Sequence, residues 1–404
     1  MIHGVGLVLS LSVVVATILE AQRPTVRPGI DVLLTDSIHL VAGRRVGLVA
    51  NQASVDQFGV HGVDRLRAAG VTLVALFSPE HGFRGLADPG EEVHTTTDSA
   101  TGLPIYSLYG KNLAPTPEML DLLDAVLIDL PDVGARYFTY LSTAEQVMNA
   151  AATARKAVIV LDRPNPLGGA MHGNVLDTAF RSFVGRFPVP MRYGLTMGEL
   201  ARWIDAGASR PVGVRVVPAA GWRRRDTGFE TGLPFLRPSP NLKDLESLFH
   251  YPGTCLFEGT ALSVGRGTDA PFSQVGAPWL DTARVLGSLR RQRLEGVAFS
   301  ATSFTPRRPG DAKFADTALV GIRWHLTDRT RYDPTLVAVA VLATIRRIHP
   351  DRIGFIPAHF DRLAGGAALR RALEAGVAPA RVTAAWAAER RRFARAVRPF
   401  LIYR

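Results

Sequence analysis

Cysteine is almost missing. Cys255 stands alone among 404 residues, so no disulfide can close within the chain and no thiolate cluster can hold a metal. The ten histidines are scattered, and His349 and His359 lie too far apart for a ligand pair on one helix. No metal is expected. Long apolar runs are scarce as well. The longest, residues 5–19, has 15 residues, short of the ~20 that span a bilayer. It fits the core of an export signal, although its leading charge is only His3 and the amino terminus. Residues 1–22 are therefore read as a signal peptide, with export to the periplasm or the exterior. An uncleaved anchor is the alternative, and only then does a membrane enter. Three nucleotide and nucleophile signatures are also missing. No G-x-G-x-x-G follows the first apolar strand, no G-x-x-x-x-G-K-[ST] occurs, and no G-x-S-x-G elbow is present. Without a glycine cradle a backbone cannot approach a pyrophosphate, so neither NAD nor ATP is expected, and no other cofactor is demanded.

Charge of one sign is in excess: 47 Lys and Arg against 36 Asp and Glu, a net +11. That balance attracts polyanions in general. Neither zinc-finger spacing nor an RNP-like aromatic motif accompanies it, so nucleic acid is not the expected partner. An arginine-rich solvated surface accounts for the excess, and no specific protein partner is evident.

What remains is an alternation of apolar strands and helices. Strands are predicted at 45–50, 71–77, 125–129 and 157–161. Helices are predicted at 62–69, after Thr116-Pro117-Glu118, and behind capping boxes at Ser142–Glu145 and Thr196–Glu199. Near-continuous apolar strands separated by helices imply a parallel sheet covered on both faces. Residues 29–230 thus read as a Rossmann-like, doubly wound α/β domain, and 231–404 as a smaller C-terminal α/β domain that completes a cleft. Within the latter, a strand at 317–324 and helices at 335–348 and 382–397 are predicted. The Gly- and Pro-rich stretch 234–278 reads as a long loop or junction.

Polar residues collect after the strands. The four predicted ends lead to Asn51, to Glu80 and His81, to Asp132 and Arg136, and to Asp162, Arg163 and Asn165. Ligands of open α/β sheets bind outside these carboxyl ends. A carboxyl there donates a proton when burial raises its pKa, which nominates Glu80 as acid, with His81 to bind, orient or protonate. Glu258 repeats the pattern of an acid between apolar residues and a glycine. Two carboxylates are the usual equipment of glycosidases. Whether Glu258 is nucleophile, base or binder stays open at this level. Arg136 and Arg266 are candidates to clamp a substrate carboxylate, and Asp162, Arg163 and Asn165 are candidate ligand-binding residues at their strand end. Ser78 beside His81 is the one hint of an amidase or esterase.

Several long motifs occur in a fixed order: Asn51-Gln52, Ser78-Pro79-Glu80-His81-Gly82-Phe83-Arg84-Gly85, Asp132-Val133-Gly134-Ala135-Arg136, Leu161-Asp162-Arg163-Pro164-Asn165-Pro166, Leu256-Phe257-Glu258-Gly259-Thr260 and Ser263-Val264-Gly265-Arg266-Gly267-Thr268. From about residue 29 onward the chain resembles the exo-β-N-acetylmuramidase family (DUF1343, glycoside hydrolase family 171). The resemblance implies a Rossmann-like domain, a smaller second domain and a cleft between them. It also implies release of N-acetylmuramic acid from the non-reducing ends of peptidoglycan fragments, with the acid at Glu80. The chain departs from the family pattern at Pro131, Met171–Asn174, Tyr193 and Ala261. A wall-binding protein with a degenerate site is the non-catalytic alternative.

Overall fold

The computed structural model describes residues 26–84, 91 and 94–404. The expected export segment and Gly85 lie outside the described residues. A seven-stranded sheet is built from β1 (Arg45–Ala50), β2 (Thr72–Ser78), β3 (Thr96–Thr97), β4 (Pro104–Ser107), β5 (Ala125–Asp129), β6 (Ala157–Leu161) and, after a hairpin of β7 (His172–Val175) and β8 (Pro190–Arg192), β9 (Arg215–Val217). The order is β3-β4-β2-β1-β5-β6-β9. Every pairing is parallel except that of the two-residue edge β3.

The side-chain period of two explains why these strands are apolar throughout. Val126, Ile128, Val158 and Val160 point into one cluster, and Leu127, Ile159 and Leu161 into another on the opposite face. From β1 the chain winds first toward β2 and β4, then returns to add β5, β6 and β9. The winding reverses between β1 and β5, and there the carboxyl ends open a crevice.

The C-terminal part holds a three-stranded antiparallel sheet, β10 (Gln274–Ala277), β12 (Leu319–Leu326) and β11 (Val297–Phe304), in the order β10-β12-β11. Helices Leu245–Thr254 and Thr282–Gln292 pack on it, and Pro334–Ile348 packs on those two helices. One buried cluster runs from Val126 and Ile128 through Phe249 and Phe257 to Trp324 and Val339. The two halves are thus packed on a shared core. The chain's end returns to the first half, where the Tyr403 hydroxyl donates to Asp162 at 2.7 Å and the Tyr403 ring meets Trp222 edge-on at 4.9 Å.

Three expectations need revision. Residues 234–278 are not one loop: they contain Leu245–Thr254, the 3-10 turn Cys255–Gly259 and β10. Pro252 and Gly253 hid the helix, yet Asp244 caps it by accepting from the Ser247 N–H at 2.7 Å. Gly253 is required because a Cβ there would lie 2.1 Å from the Pro334 carbonyl oxygen. The helix expected behind Ser142 starts earlier, at Tyr140. The Ser142 hydroxyl donates instead to Phe183 O, and Glu145 pairs with Arg186. Finally, 382–397 divides into Pro379–Ala385 and Ala387–Val397 at Trp386. Trp386 and Phe393 are both buried.

Candidate active site

The turn after β2 presents Glu80, which is 8% exposed. The Thr139 hydroxyl, at the entry to helix Tyr140–Ala154, donates to Glu80 Oε2 at 2.6 Å. Tyr109, two residues past β4, donates to the same carboxyl. Burial, then the charge of Glu80, pushes the Tyr109 phenol up to about 12, so it stays a donor. Beneath them the Tyr140 hydroxyl accepts from Asn51 Nδ2 at 2.6 Å. It lies 3.0 Å from the Pro238 carbonyl and 3.4 Å from that of Glu80. Asn51 therefore ties the end of β1 to the acid's backbone. His81 follows at φ 73°, left-handed for a non-glycine residue, and is 4% exposed. Such backbone conformations persist where surrounding contacts enforce them, often at functional sites.

The opposite wall comes from the C-terminal half. Glu258, in the turn Cys255–Gly259, pairs with Arg266 at 2.5 Å. Burial alone would raise the Glu258 pKa. The Arg266 guanidinium outweighs it, aided by Lys313 and the Cys255 thiol, and the carboxyl is held below its ordinary range. Lys313 Nζ donates to the carbonyls of Glu258, Thr260 and Leu262 at 2.8, 2.7 and 3.2 Å, which pins the turn. Burial pushes the Cys255 thiol well above its normal value, so it is no ready thiolate nucleophile.

Between these walls lies a cleft of about 140 Å³ whose lining includes Glu80, His81, Thr139, Glu258, Arg266 and His359. Arg362 also lines it and is exposed, with no salt bridge among the described residues. Burial, reinforced by Arg362, lowers the His359 pKa and favours the neutral imidazole.

The cleft brings together Glu80, His81, Glu258 and Arg266, which the chain separates by up to 186 positions. Two other expected residues, Asp132 and Arg163, line a neighbouring pocket of about 100 Å³ at the β1/β5 crevice, with Pro131, Phe235 and Leu248. Burial raises Asp132 to about 6 against the hydrogen bonds from Tyr193 and the Gly134 N–H. Arg163 forks onto Asp129 at 2.6 and 3.0 Å.

The structure places Arg136, Asp162 and Asn165 outside the lining of the cleft, each bonded to other groups of the protein. The Arg136 guanidinium donates to the carbonyls of Asn174, Val189 and Leu363. Asn165 donates to Leu195 O and accepts from the Leu167 N–H. Asp162 is fully buried and accepts from the Thr196 hydroxyl, the Gly198 N–H and the Tyr403 hydroxyl. Arg266 lines the cleft, but its partner is Glu258 rather than a free opening. Sequence reasoning missed Tyr109, Thr139, His359 and Arg362.

Asp162 carries a pH signature. Burial lifts its pKa from 3.8 to about 6, above the unfolded value. The stability it contributes is fully present below about pH 4 and is lost as pH rises through about 6. The stability advantage of the wild type over Asp162→Asn should therefore shrink between pH 4 and pH 7, as read by urea unfolding. A gap that stays constant would refute the assignment.

Two family models, described as exo-β-N-acetylmuramidase NamZ, N-terminal and C-terminal, match residues 46–246 and 249–403. A Bacillus subtilis (strain 168) protein, peptidoglycan β-N-acetylmuramidase NamZ, is 39% identical over 386 residues, which is 95% of this chain and 92% of that one. Two crystal structures of DUF1343 family proteins from Bacteroides fragilis superpose with TM-scores of 0.87 and 0.77 at 34% and 30% identity. Each match covers 94% of this chain and 99% of the other.

Proposed function

The chain belongs to the exo-β-N-acetylmuramidase NamZ family, and on that premise we propose that its cleft hydrolyses the bond behind a terminal N-acetylmuramic acid of peptidoglycan fragments. The observation that carries the reading is Glu80, facing the cleft with two hydroxyl donors on its carboxyl. In this reading Glu80 protonates the glycosidic oxygen as its bond to the anomeric carbon breaks, and a water bonds to that carbon and releases the proton that replaces the one given up. Glu258, held ionised by Arg266, supplies negative charge opposite the developing oxocarbenium ion. Arg362, the cleft guanidinium with no ion pair among the described residues, receives the lactyl carboxylate in place of Arg136 and Arg266. The apolar run at 5–19 supports export to where such material lies.

The amidase or esterase alternative loses its nucleophile. Ser78 is fully buried within β2 and lines neither pocket. The experiment is incubation with a peptide-free glycan that ends in muramic acid, followed by mass identification. Free N-acetylmuramic acid is expected. Binding without release would favour the degenerate wall-binding alternative and overturn catalysis.

A further inference from the structure

Beside the cleft runs a wider groove of about 680 Å³, several times the volume of the cleft. Cleft and groove share their walls. Ser239 lines the cleft and Pro240 the groove, Leu242 the cleft and Lys243 the groove, Arg266 the cleft and Gly267 the groove.

The groove is cationic. Lys243, Arg307, Arg308 and Arg323 line it against one acid, Asp269. Lys243 lies 3.8 Å from Asp269, and Arg307 pairs with Asp316. Arg308 and Arg323 are exposed and form no ion pair among the described residues. Between the charges, Thr302, Ser303 and Thr305 on and after β11 offer hydroxyls. Its one aromatic ring, Phe304, is half-buried.

This chemistry selects among polymers. Single-stranded nucleic acid is held by aromatic platforms that stack successive bases, and the groove lacks them. A neutral glycan would leave two free guanidinium groups without purpose. A glycan with carboxylates at intervals satisfies both features, because guanidinium pairs the carboxylates and hydroxyls bond the sugars.

We propose that this groove binds the continuation of an anionic, muramic-acid-bearing glycan strand whose terminal sugar sits in the cleft. The proposal rests on the muramidase reading and extends it, making a polymeric strand, rather than a disaccharide, the substrate class. The groove wall is also linked to the site. The loop between β11 and β12 that carries Arg307 and Arg308 sends Lys313 to the Glu258 turn, and its Arg307 N–H donates to Gly267 O at 2.9 Å.

The test is equilibrium binding by calorimetry to the full chain carrying Glu80→Gln, so that the ligand survives. A peptide-free hexasaccharide with a muramic acid terminus should bind about tenfold more tightly than the matching disaccharide at low salt. Arg308→Ala/Arg323→Ala should remove most of that difference, leaving disaccharide affinity and the thermal midpoint unchanged. Carboxyl reduction of the hexasaccharide should have the same effect, and added salt should narrow the gap. Equal affinities for the two lengths, no effect of the double variant, or equally tight binding of a single-stranded RNA of equal charge would each overturn the proposal. If the wild type releases no sugar, the muramidase reading fails separately, while these binding arms still decide whether the groove holds the strand.

Discussion

Glu80→Gln should lower kcat on a muramic-acid-terminated glycan by about 10²- to 10⁴-fold, the usual contribution of a positioned acid. The amide keeps the shape and a carbonyl for the Thr139 hydroxyl, so near-ultraviolet circular dichroism should match the wild type. The loss should be smaller on a nitrophenyl glycoside, whose leaving group departs with little help from a proton. That contrast separates an acid from a residue that merely supports the cleft. A variant that retains most of its kcat on the glycan would remove Glu80 from the mechanism.

The second large effect concerns the opposite wall. Arg266→Met leaves the Glu258 carboxylate, 13% exposed, without its guanidinium. Breaking one side of a buried pair costs about 3–5 kcal/mol, since the remaining charge is desolvated and uncompensated. The loss should be greatest above the ordinary glutamate pKa. Glu258 is depressed in the folded protein, so its stabilising share is present at neutral pH and vanishes as the medium acidifies through the folded value. Urea titrations at pH 7 and pH 4 measure both points. Glu258→Gln/Arg266→Met should recover much of the stability but none of the activity. A single variant within about 1 kcal/mol of wild type would show that Lys313 and the Cys255 thiol suffice.

The parallel sheet was legible because burial on both faces makes strands apolar at every position. β1, β5 and β6 end where the residue pattern ends, at Ala50, Asp129 and Leu161. Glu80 and Glu258 were legible because an acid between apolar residues and a glycine has few reasons to be there. The strand ends were less decisive. Asp162 and Asn165 serve neighbouring backbone and hydroxyl groups, the ordinary task of short polar side chains in turns. Arg136 resembled a ligand clamp, but three carbonyl partners come from residues 38 to 227 positions away, and no local pattern announces them. Thr139 went unnoticed because the capping signal was placed three residues too late. Tyr109 was missed along with β4, a four-residue strand beginning at proline. A reader who had extended the sheet to β4 would have placed Tyr109 beyond another carboxyl end, beside Glu80.

The return of the chain's end to the first half bears on how the molecule is made. The ribosome delivers β6, with Asp162 at its tip, some 240 residues before it delivers Tyr403. Until then that carboxyl lacks one of its three donors and Trp222 lacks its ring partner. The half born first therefore closes this contact only when Tyr403 arrives, and a product clipped before Tyr403 leaves the Asp162 carboxyl one donor short.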